Sequence, residues 1–508
     1  MTNSNARRDI KQVLSHYQIE SPGLDVNELV LDSREVAVHS VFVAIKGHAL
    51  DGRDFIPQAI SLGARLVLQS SDDSAMHGHI EMREQTVLIT FYQLDQHLSE
   101  LAARFYGFPA QQMDMIAVTG TNGKTSTVQL ISQLKTLLGD KAASIGTLGA
   151  GLYTDNITEL TKTINTTPDA CQMQRLLAGF AEHQAKLVAL EASSHALVQG
   201  RIEGLKTDVA VFTNLTRDHL DYHGSMAEYA MAKRKLISQP GLRNLVINID
   251  DPESKNWRLQ ASHEQKLTVT STNMSVQQVP HNAQYCIASH IQFNDQGTVF
   301  ELSSSWGKAT IKCGLIGHFN VANMLSAIAS LLVLGHPLSD LVGACADVKP
   351  VAGRMELFES SEFGNLIVDY AHTPDALEQA LRSARVHCKG KLVCVFGCGG
   401  DRDLGKRPLM GEVAQSFSDI VILTTDNSRT ETPNAIVADI LKGIDNSSCV
   451  LVETDRKQAI QMAIAQSQPG DLILVAGKGH ETTQIIGQHS LPYDEREYAK
   501  TLTLGNSK

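Results

Sequence analysis

Residues 115–127 read M-I-A-V-T-G-T-N-G-K-T-S-T, and their types and order are those of a phosphate site. A short apolar strand at 116–118 enters a small-residue loop, and a helix opens behind it at Thr125. Loop N–H groups and the positive end of that helix together cradle phosphate. Gly120, Thr121, Asn122, Gly123, Thr125 and Ser126 are the candidate lining of the cradle. Lys124 reaches for the outer phosphates, and the Thr125 hydroxyl is placed to hold Mg²⁺. The usual loop has a glycine where Val118 stands; the rest is intact between strand and helix. A Gly-Lys-Thr in a plain surface turn is the bland alternative, and the strand and helix on either side weigh against it.

Two later strand ends carry polar groups of the same kind. L-E-A-S-S-H (190–195) offers Glu191, a carboxylate suited to a nucleotide-bound Mg²⁺, and T-N-L-T-R-D-H-L-D-Y-H (213–223) offers His219 with His223 nearby. Mg²⁺ takes few protein ligands and several phosphate oxygens and waters, so one hydroxyl, one carboxylate and one imidazole suffice. A lone histidine is usually a structural hydrogen-bonder. Two polar clusters at successive strand ends of one nucleotide domain favour function instead.

The elements that must position these groups follow from length and pattern. A chain of 508 residues exceeds one core, and about 150 residues per domain gives three. Residues 1–105 read as a first unit, with short strands near 29–32, 41–45 and 65–69 and a helix near 55–62. Residues 106–350 alternate apolar runs at 116–118, 187–190, 208–212 and 245–249 with helical patterns, as a mostly parallel sheet with crossover helices does. A hairpin is expected at 297–302 and 308–312. Residues 351–508 carry apolar runs at 366–369, 392–396, 420–423, 450–452 and 472–475. In an open parallel sheet ligands bind beyond the carboxyl ends of strands. The loops there, 369–375, 397–403, 426–429 and 477–481, concentrate charged groups and mark a binding face. The fold class is therefore α/β, with a central phosphate-loop parallel sheet and a C-terminal doubly wound, Rossmann-like sheet.

Composition narrows the function. With 43% hydrophobic and 19% charged residues the chain is an ordinary globular protein. A formal charge of −11 argues against a general nucleic-acid binder. No apolar run spans a bilayer and the first residues lack a signal-peptide core. Eight scattered cysteines show no paired framework and no zinc pattern, so all are expected as reduced thiols in a cytoplasmic protein.

The loop T-G-T-N-G-K-T-S resembles that of the Mur ligases and their folylpolyglutamate synthetase relatives. N-T-T-P-D (165–169), E-A-S-S-H-A-L-V-Q-G-R (191–201), R-D-H-L-D-Y-H-G (217–224), G-H-F-N-V-A-N (317–323), A-G-R-M-E (352–356), D-Y-A-H-T-P-D (369–375) and G-K-G-H-E (477–481) resemble, in order, the Mur ligase that adds the third peptide residue to the peptidoglycan precursor. The resemblance implies an ATP-dependent, Mg²⁺-requiring ligase acting on small molecules as a monomer, without nucleic acid or membrane insertion. It implies that meso-diaminopimelate is joined to the D-glutamate of UDP-N-acetylmuramoyl-L-alanyl-D-glutamate.

Residue roles follow from the same resemblance. Asn320, Asn323, Arg354 and Asp369 fall on ATP-contacting positions, and Lys124, Glu191, His219 and Lys233 on catalytic ones. Thr125, Glu191 and His219 are the implied metal ligands, and Lys233 the implied carbamylated lysine. Leu31, Ser33, His48, Ala49, Leu50, Asn165, Thr166, Thr167, Ser193, Gln199 and Arg201 fall on positions that hold the UDP-MurNAc-dipeptide. Arg402, Asp426, Asn427, Ser428, Arg429, Gly477 and Glu481 fall on the diaminopimelate site. D-N-S-R (426–429) resembles the D-N-P-R signature of diaminopimelate-adding members, with Ser428 where proline is usual. Arginines grip carboxylates in two-pronged fashion, and Glu481 suits the distal ammonium. A lysine-adding enzyme of the same type is the alternative within the family. A folylpolyglutamate synthetase would leave residues 1–105 and the D-N-S-R loop unexplained, and a non-catalytic nucleotide-binding protein would not need Glu191 and Lys233.

Overall fold

The computed structural model describes residues 7–47, 50–153, 160–294 and 297–504, apart from the side chain of Ser447. The chain forms two compact units. One comprises Met1–Thr119, Gly139–Ala210 and Ala232–Leu245, and the other Gly120–Leu138, Val211–Met231 and Val246–Lys508.

In the first unit a five-stranded sheet runs in the order Glu28–Val30, Ser40–Ala44, Leu66–Ser71, Thr86–Tyr92, Ile80–Arg83. Ile80–Arg83 alone is antiparallel to its neighbour. Every residue of Ser40–Ala44 is buried, because clusters around Leu66 and around Phe42 cover the two faces. Such strands show an unbroken apolar run rather than alternation, which is why 41–45 was legible. The expected helix at 55–62 is a 3₁₀ turn, Gly52–Phe55, leading into the helix Ile56–Ser61 with proline in its first turn. Helix Leu94–Phe105 buries Leu94, Leu98, Leu101 and Phe105, a stripe of helical period.

The same unit holds Asp114–Thr119 and Leu187–Glu191, paired in parallel, followed by Ala142–Gly146, again parallel, and Gly149–Tyr153, antiparallel. Ala142–Gly146 reads A-A-S-I-G, which has little β propensity, and no strand is expected there from the apolar runs. Helix Ala170–Glu182 begins at Asp169, whose carboxylate accepts the N–H groups of Cys171 and Gln172 at 2.9 and 3.0 Å.

In the second unit helix Lys124–Leu137 follows the phosphate loop. The expected hairpin is Gly297–Ser304 with Gly307–Cys313, extended by Gln284–Asn294 and Lys266–Ser271. The C-terminal sheet has the order Glu356–Phe358, Asn365–Asp369, Leu472–Ala476, Leu392–Phe396, Ile420–Leu423, Val450–Val452. Its five long apolar runs are all parallel, with apolar clusters on both faces. Leu472–Ala476, the last of the five in the chain, inserts between Asn365–Asp369 and Leu392–Phe396, so the strand order reverses beside it. That is where an open sheet forms its ligand crevice. Among the described residues no helix is long and apolar enough to cross a membrane.

Candidate active site

The phosphate loop is built as its residue types require. Gly123 caps helix Lys124–Leu137 at φ +84°, and a Cβ there would lie 2.5 Å from Asn323 Oδ1. At Gly120, φ is +149° and a Cβ would lie 1.9 Å from Thr213 Oγ1. Only glycine meets both demands, of left-handed backbone and of close approach. Lys124 folds its ammonium over the loop, donating to the carbonyls of Gly120 and Thr121 at 2.9 and 2.7 Å. Thr121 N–H donates to Asn214 O, and Asn122 N–H to Asn214 Oδ1, both at 2.9 Å.

Arg354 Nη2 donates to Thr125 Oγ1 at 3.1 Å, and the guanidinium lies 4.3 Å from the Tyr370 ring centroid. Its Nε is buried without a hydrogen-bond partner among the described residues. Asn323 Nδ2 donates to Asn320 Oδ1 at 3.2 Å, and Asp369 accepts the N–H groups of Met355 and Ala371 at 2.7 and 2.8 Å. Burial pushes the Asp369 carboxyl up, against the pull of Arg354 and these two N–H groups. Asn122, Gly123, Ser126, Asn323, Arg354 and Asp369 line one cavity of about 260 Å³. Most of the predicted nucleotide residues are thus brought together. A glycine cradle that a Cβ would fill, beside an orphaned guanidinium nitrogen, fits a polyphosphate.

His219 sits at φ +54° before the short helix Leu220–His223. Its Nε2 lies 3.4 Å from Asp218 Oδ2, and the same carboxylate faces His372 Nε2 at 3.8 Å and Lys406 Nζ at 4.0 Å. Burial alone raises the Asp218 carboxyl, but His372, His219 and Lys406 outweigh it and hold it well below the usual range. Asp218 lies inside the quoted R-D-H motif, yet its place between His219, His372 and Lys406 was not legible from spacing.

In the first unit Glu191 is buried and accepts Thr147 N–H at 2.8 Å and Thr147 Oγ1–H at 3.1 Å. Thr147 Oγ1 is also 3.2 Å from Thr166 Oγ1. Thr167 Oγ1 donates to Glu191 O at 2.6 Å and lies 3.1 Å from Ser193 Oγ. Arg201 Nη1 donates to Thr167 O at 2.7 Å, while its Nε and Nη2 hold Gln199 Oε1. Lys233, near the end of helix Met226–Arg234, is 1% exposed. A cavity of about 550 Å³ is lined by Leu31, Ser33, Leu50 and Asn165 with Arg34 and Arg175. Of the eleven residues expected on the nucleotide-sugar substrate, nine divide between this cavity and the Thr167 network, and His48 and Ala49 lie outside the described residues.

At the C-terminal sheet three loops meet. Asn427 Nδ2 donates to Glu481 Oε2 at 2.8 Å, and Asn427 N–H to Asp426 Oδ1 at 2.7 Å. Gly477 is so near that a Cβ would lie 2.6 Å from Asp426 Oδ2. Arg429, at φ +50°, donates through Nη1 to Gly400 O at 2.8 Å. Nε and Nη2 have no partner among the described residues. Burial and then the like charge of Arg402 lower its pKa. Arg402 is exposed, donating to Asp401 O at 3.1 Å. Ser428 is fully buried and its hydroxyl has no partner among the described residues. One strand missed in the sequence, Thr483–Ile486, braces this loop: Gln484 Nε2 donates to Asp426 O at 3.1 Å and Ile485 N–H to Asn427 Oδ1 at 2.8 Å.

Comparison with known proteins gives these loops a family. Models of the Mur ligase family match at residues 25–106 (the family's catalytic domain), 118–331 (the middle domain) and 353–479 (the glutamate ligase domain). A UDP-N-acetylmuramoyl-L-alanyl-D-glutamate--2,6-diaminopimelate ligase of Vibrio cholerae is 45% identical over 479 residues, 94% of each chain. The chain belongs to the Mur ligase family. A solved ligase with the same printed activity is similar at 32% identity and a TM-score of 0.66, covering 99% of this Mur ligase and all of that chain. MurF from Acinetobacter baumannii, at 16% identity and a TM-score of 0.68 over 93% of this chain and 95% of its own, shares the fold. The Mur ligase architecture is the α/β, parallel-sheet fold read from the apolar runs.

Proposed function

We propose that this Mur ligase joins meso-2,6-diaminopimelate to the γ-carboxylate of D-glutamate in UDP-N-acetylmuramoyl-L-alanyl-D-glutamate, with ATP, in the cytoplasm. The observation that carries the choice of amino acid is the convergence of Arg429, Asn427 and Glu481, which offers a guanidinium for a carboxylate and a carboxylate for an ammonium. The distal end of diaminopimelate bears both groups, whereas that of lysine bears only the ammonium.

A carboxylate resists attack by an amine until one oxygen becomes a leaving group. The γ-carboxylate oxygen attacks the terminal phosphorus of ATP, the bond to the bridging oxygen breaks, and ADP leaves. The free amine then attacks the acyl carbon of the resulting acyl phosphate. The tetrahedral intermediate collapses with loss of inorganic phosphate, and the nitrogen releases a proton. Such transfer is positioning and electrostatics: Lys124 and Arg354 stabilise the charge on the moving phosphoryl group, and the loop N–H groups hold the remaining phosphates. The Thr125 hydroxyl at the phosphate loop and the His219 imidazole would help to hold Mg²⁺, and Glu191 is the carboxylate the family resemblance assigns to it; the ion would neutralise phosphate charge. Lys233, as a carbamate, would carry a negative charge in place of its ammonium. The segments 1–105, 106–350 and 351–508 serve the nucleotide-sugar substrate, ATP and the amino acid.

The test is ATP-dependent ligation of a panel of amino acids to the UDP-linked dipeptide. Diaminopimelate should be used far more efficiently than lysine. Arg429→Ala should lower the diaminopimelate-to-lysine efficiency ratio by roughly ten- to a hundredfold, the loss of one charge-assisted bond, with ATP use nearly unchanged. Wild-type preference for lysine, or an unchanged ratio in the variant, would remove this reading of the loop.

A further inference from the structure

Lys478 belongs to the G-K-G-H-E loop and is 0% exposed. Its ammonium donates to Glu481 Oε2 at 2.7 Å and to Asn427 Oδ1 at 3.2 Å, with Asp426 Oδ1 at 3.8 Å. Asn427 closes the ring by donating from Nδ2 to the same Glu481 Oε2 at 2.8 Å. An ammonium is kept out of water only with partners of this kind. Both donors converge on Oε2, and among the described residues Oε1 of Glu481 has no partner. Arg429 and Arg456 also face these carboxylates, and Lys478 is the cation hydrogen-bonded to Glu481 itself.

We propose that Lys478 is the positioning and selectivity residue of the amino-acid site. It pins the Glu481 carboxylate by Oε2 and leaves Oε1 to receive the distal ammonium. Its charge also keeps the Asp426 and Glu481 carboxylates from acting together as a general cation site. A side chain ending in a bare ammonium then gains too little from Glu481 alone, and the Arg429 contact to a carboxylate becomes obligatory for tight binding. Without Lys478 the corner loses one positive charge, opens Glu481 Oε2 to an incoming ammonium, and tolerates lysine better. The inference rests on the diaminopimelate reading of these loops.

The experiment is a double-mutant cycle on the full enzyme with K478M, E481Q and the pair. KM and kcat are measured for diaminopimelate and lysine, and KM for ATP. K478M should raise the diaminopimelate KM by about tenfold or more, leave the ATP KM within about twofold, and lower the diaminopimelate-to-lysine efficiency ratio. In the E481Q background K478M should change the diaminopimelate KM by less than about threefold, because the two residues act through one contact. Effects that multiply across the cycle, an unchanged diaminopimelate KM, an unchanged ratio, or an ATP KM raised as much as that for diaminopimelate would each overturn the proposal. If K478M is not folded by circular dichroism, K478Q enters the same cycle under the same criteria. Wild-type selectivity is measured first. An enzyme that prefers lysine overturns the substrate reading, and the Lys478–Glu481 coupling is then scored on the KM for lysine.

Discussion

Residue chemistry in this enzyme is decided by which charges are compensated and which polar atoms are not. Lys233 is a long cationic side chain held at 1% exposure, an expensive placement unless its charge is paired or chemically changed. As a carbamate it would carry the opposite charge. Lys233→Ala should therefore lose most activity and regain a measurable part of it with added formate or acetate, which restore an anion. Full activity in the unsupplemented variant would eliminate the carbamate. Ser428 poses a smaller problem: its hydroxyl is buried and unpartnered among the described residues, a desolvation cost with nothing to offset it. Ser428→Ala should raise stability by about 1 kcal/mol in a denaturant titration and leave the diaminopimelate-to-lysine ratio unchanged. A destabilised Ser428→Ala would mean that the hydroxyl does have a partner in solution.

Elements stay in place where a buried pair ties one to the next. Arg456, at the start of helix Arg456–Ala465, donates from Nη2 to Ala476 O at 2.7 Å and to Glu495 Oε1 at 3.0 Å, and its Nε also bonds Glu495. One guanidinium thus joins that helix, the end of strand Leu472–Ala476 and the helix Glu495–Leu504. Both ions are almost fully buried, at 1% and 0% side-chain exposure. Removing one partner of such a pair strands the other charge and costs about 3–5 kcal/mol. Arg456→Met should show that loss in urea unfolding, and Arg456→Met with Glu495→Leu should recover much of it. A single variant as stable as wild type would show that the pair is not the tie. Strand Leu472–Ala476 leads directly into Gly477–Glu481, so the single variant should also raise the KM for the amino acid.

For the whole molecule, the C-terminal sheet has its strands and the bulk of its two apolar faces between Glu356 and Ala476. A fragment of residues 351–508 should therefore unfold cooperatively by itself while having no ligase activity. A non-cooperative melt would reject the proposed boundary near residue 350. The sequence made this sheet legible because strands covered on both faces need unbroken apolar runs, and 392–396 and 472–475 supply them. Strand Ala142–Gly146 was illegible because small residues fit there for lack of space: a Cβ on Gly146 would lie 2.3 Å from Glu191 Oε1. Hairpin strand Thr483–Ile486 was missed because it is half-exposed and short, so burial left little pattern on it.

The sequence by itself determined the phosphate cradle, the parallel sheets and the family. Each is written in consecutive residues: a loop whose glycines accept left-handed backbone, and apolar runs long enough for a buried strand. The tertiary structure decided which loops meet. Arg354 reaches Thr125 across 229 residues, and Lys478 reaches Asn427 across 51. The second meeting depends on Leu472–Ala476 inserting between Asn365–Asp369 and Leu392–Phe396. Strand order follows from how whole faces of helices and strands exclude water together, a property of the assembled core that no local periodicity records. The chemistry-bearing residue types were therefore visible in the chain, and their partners only in the fold.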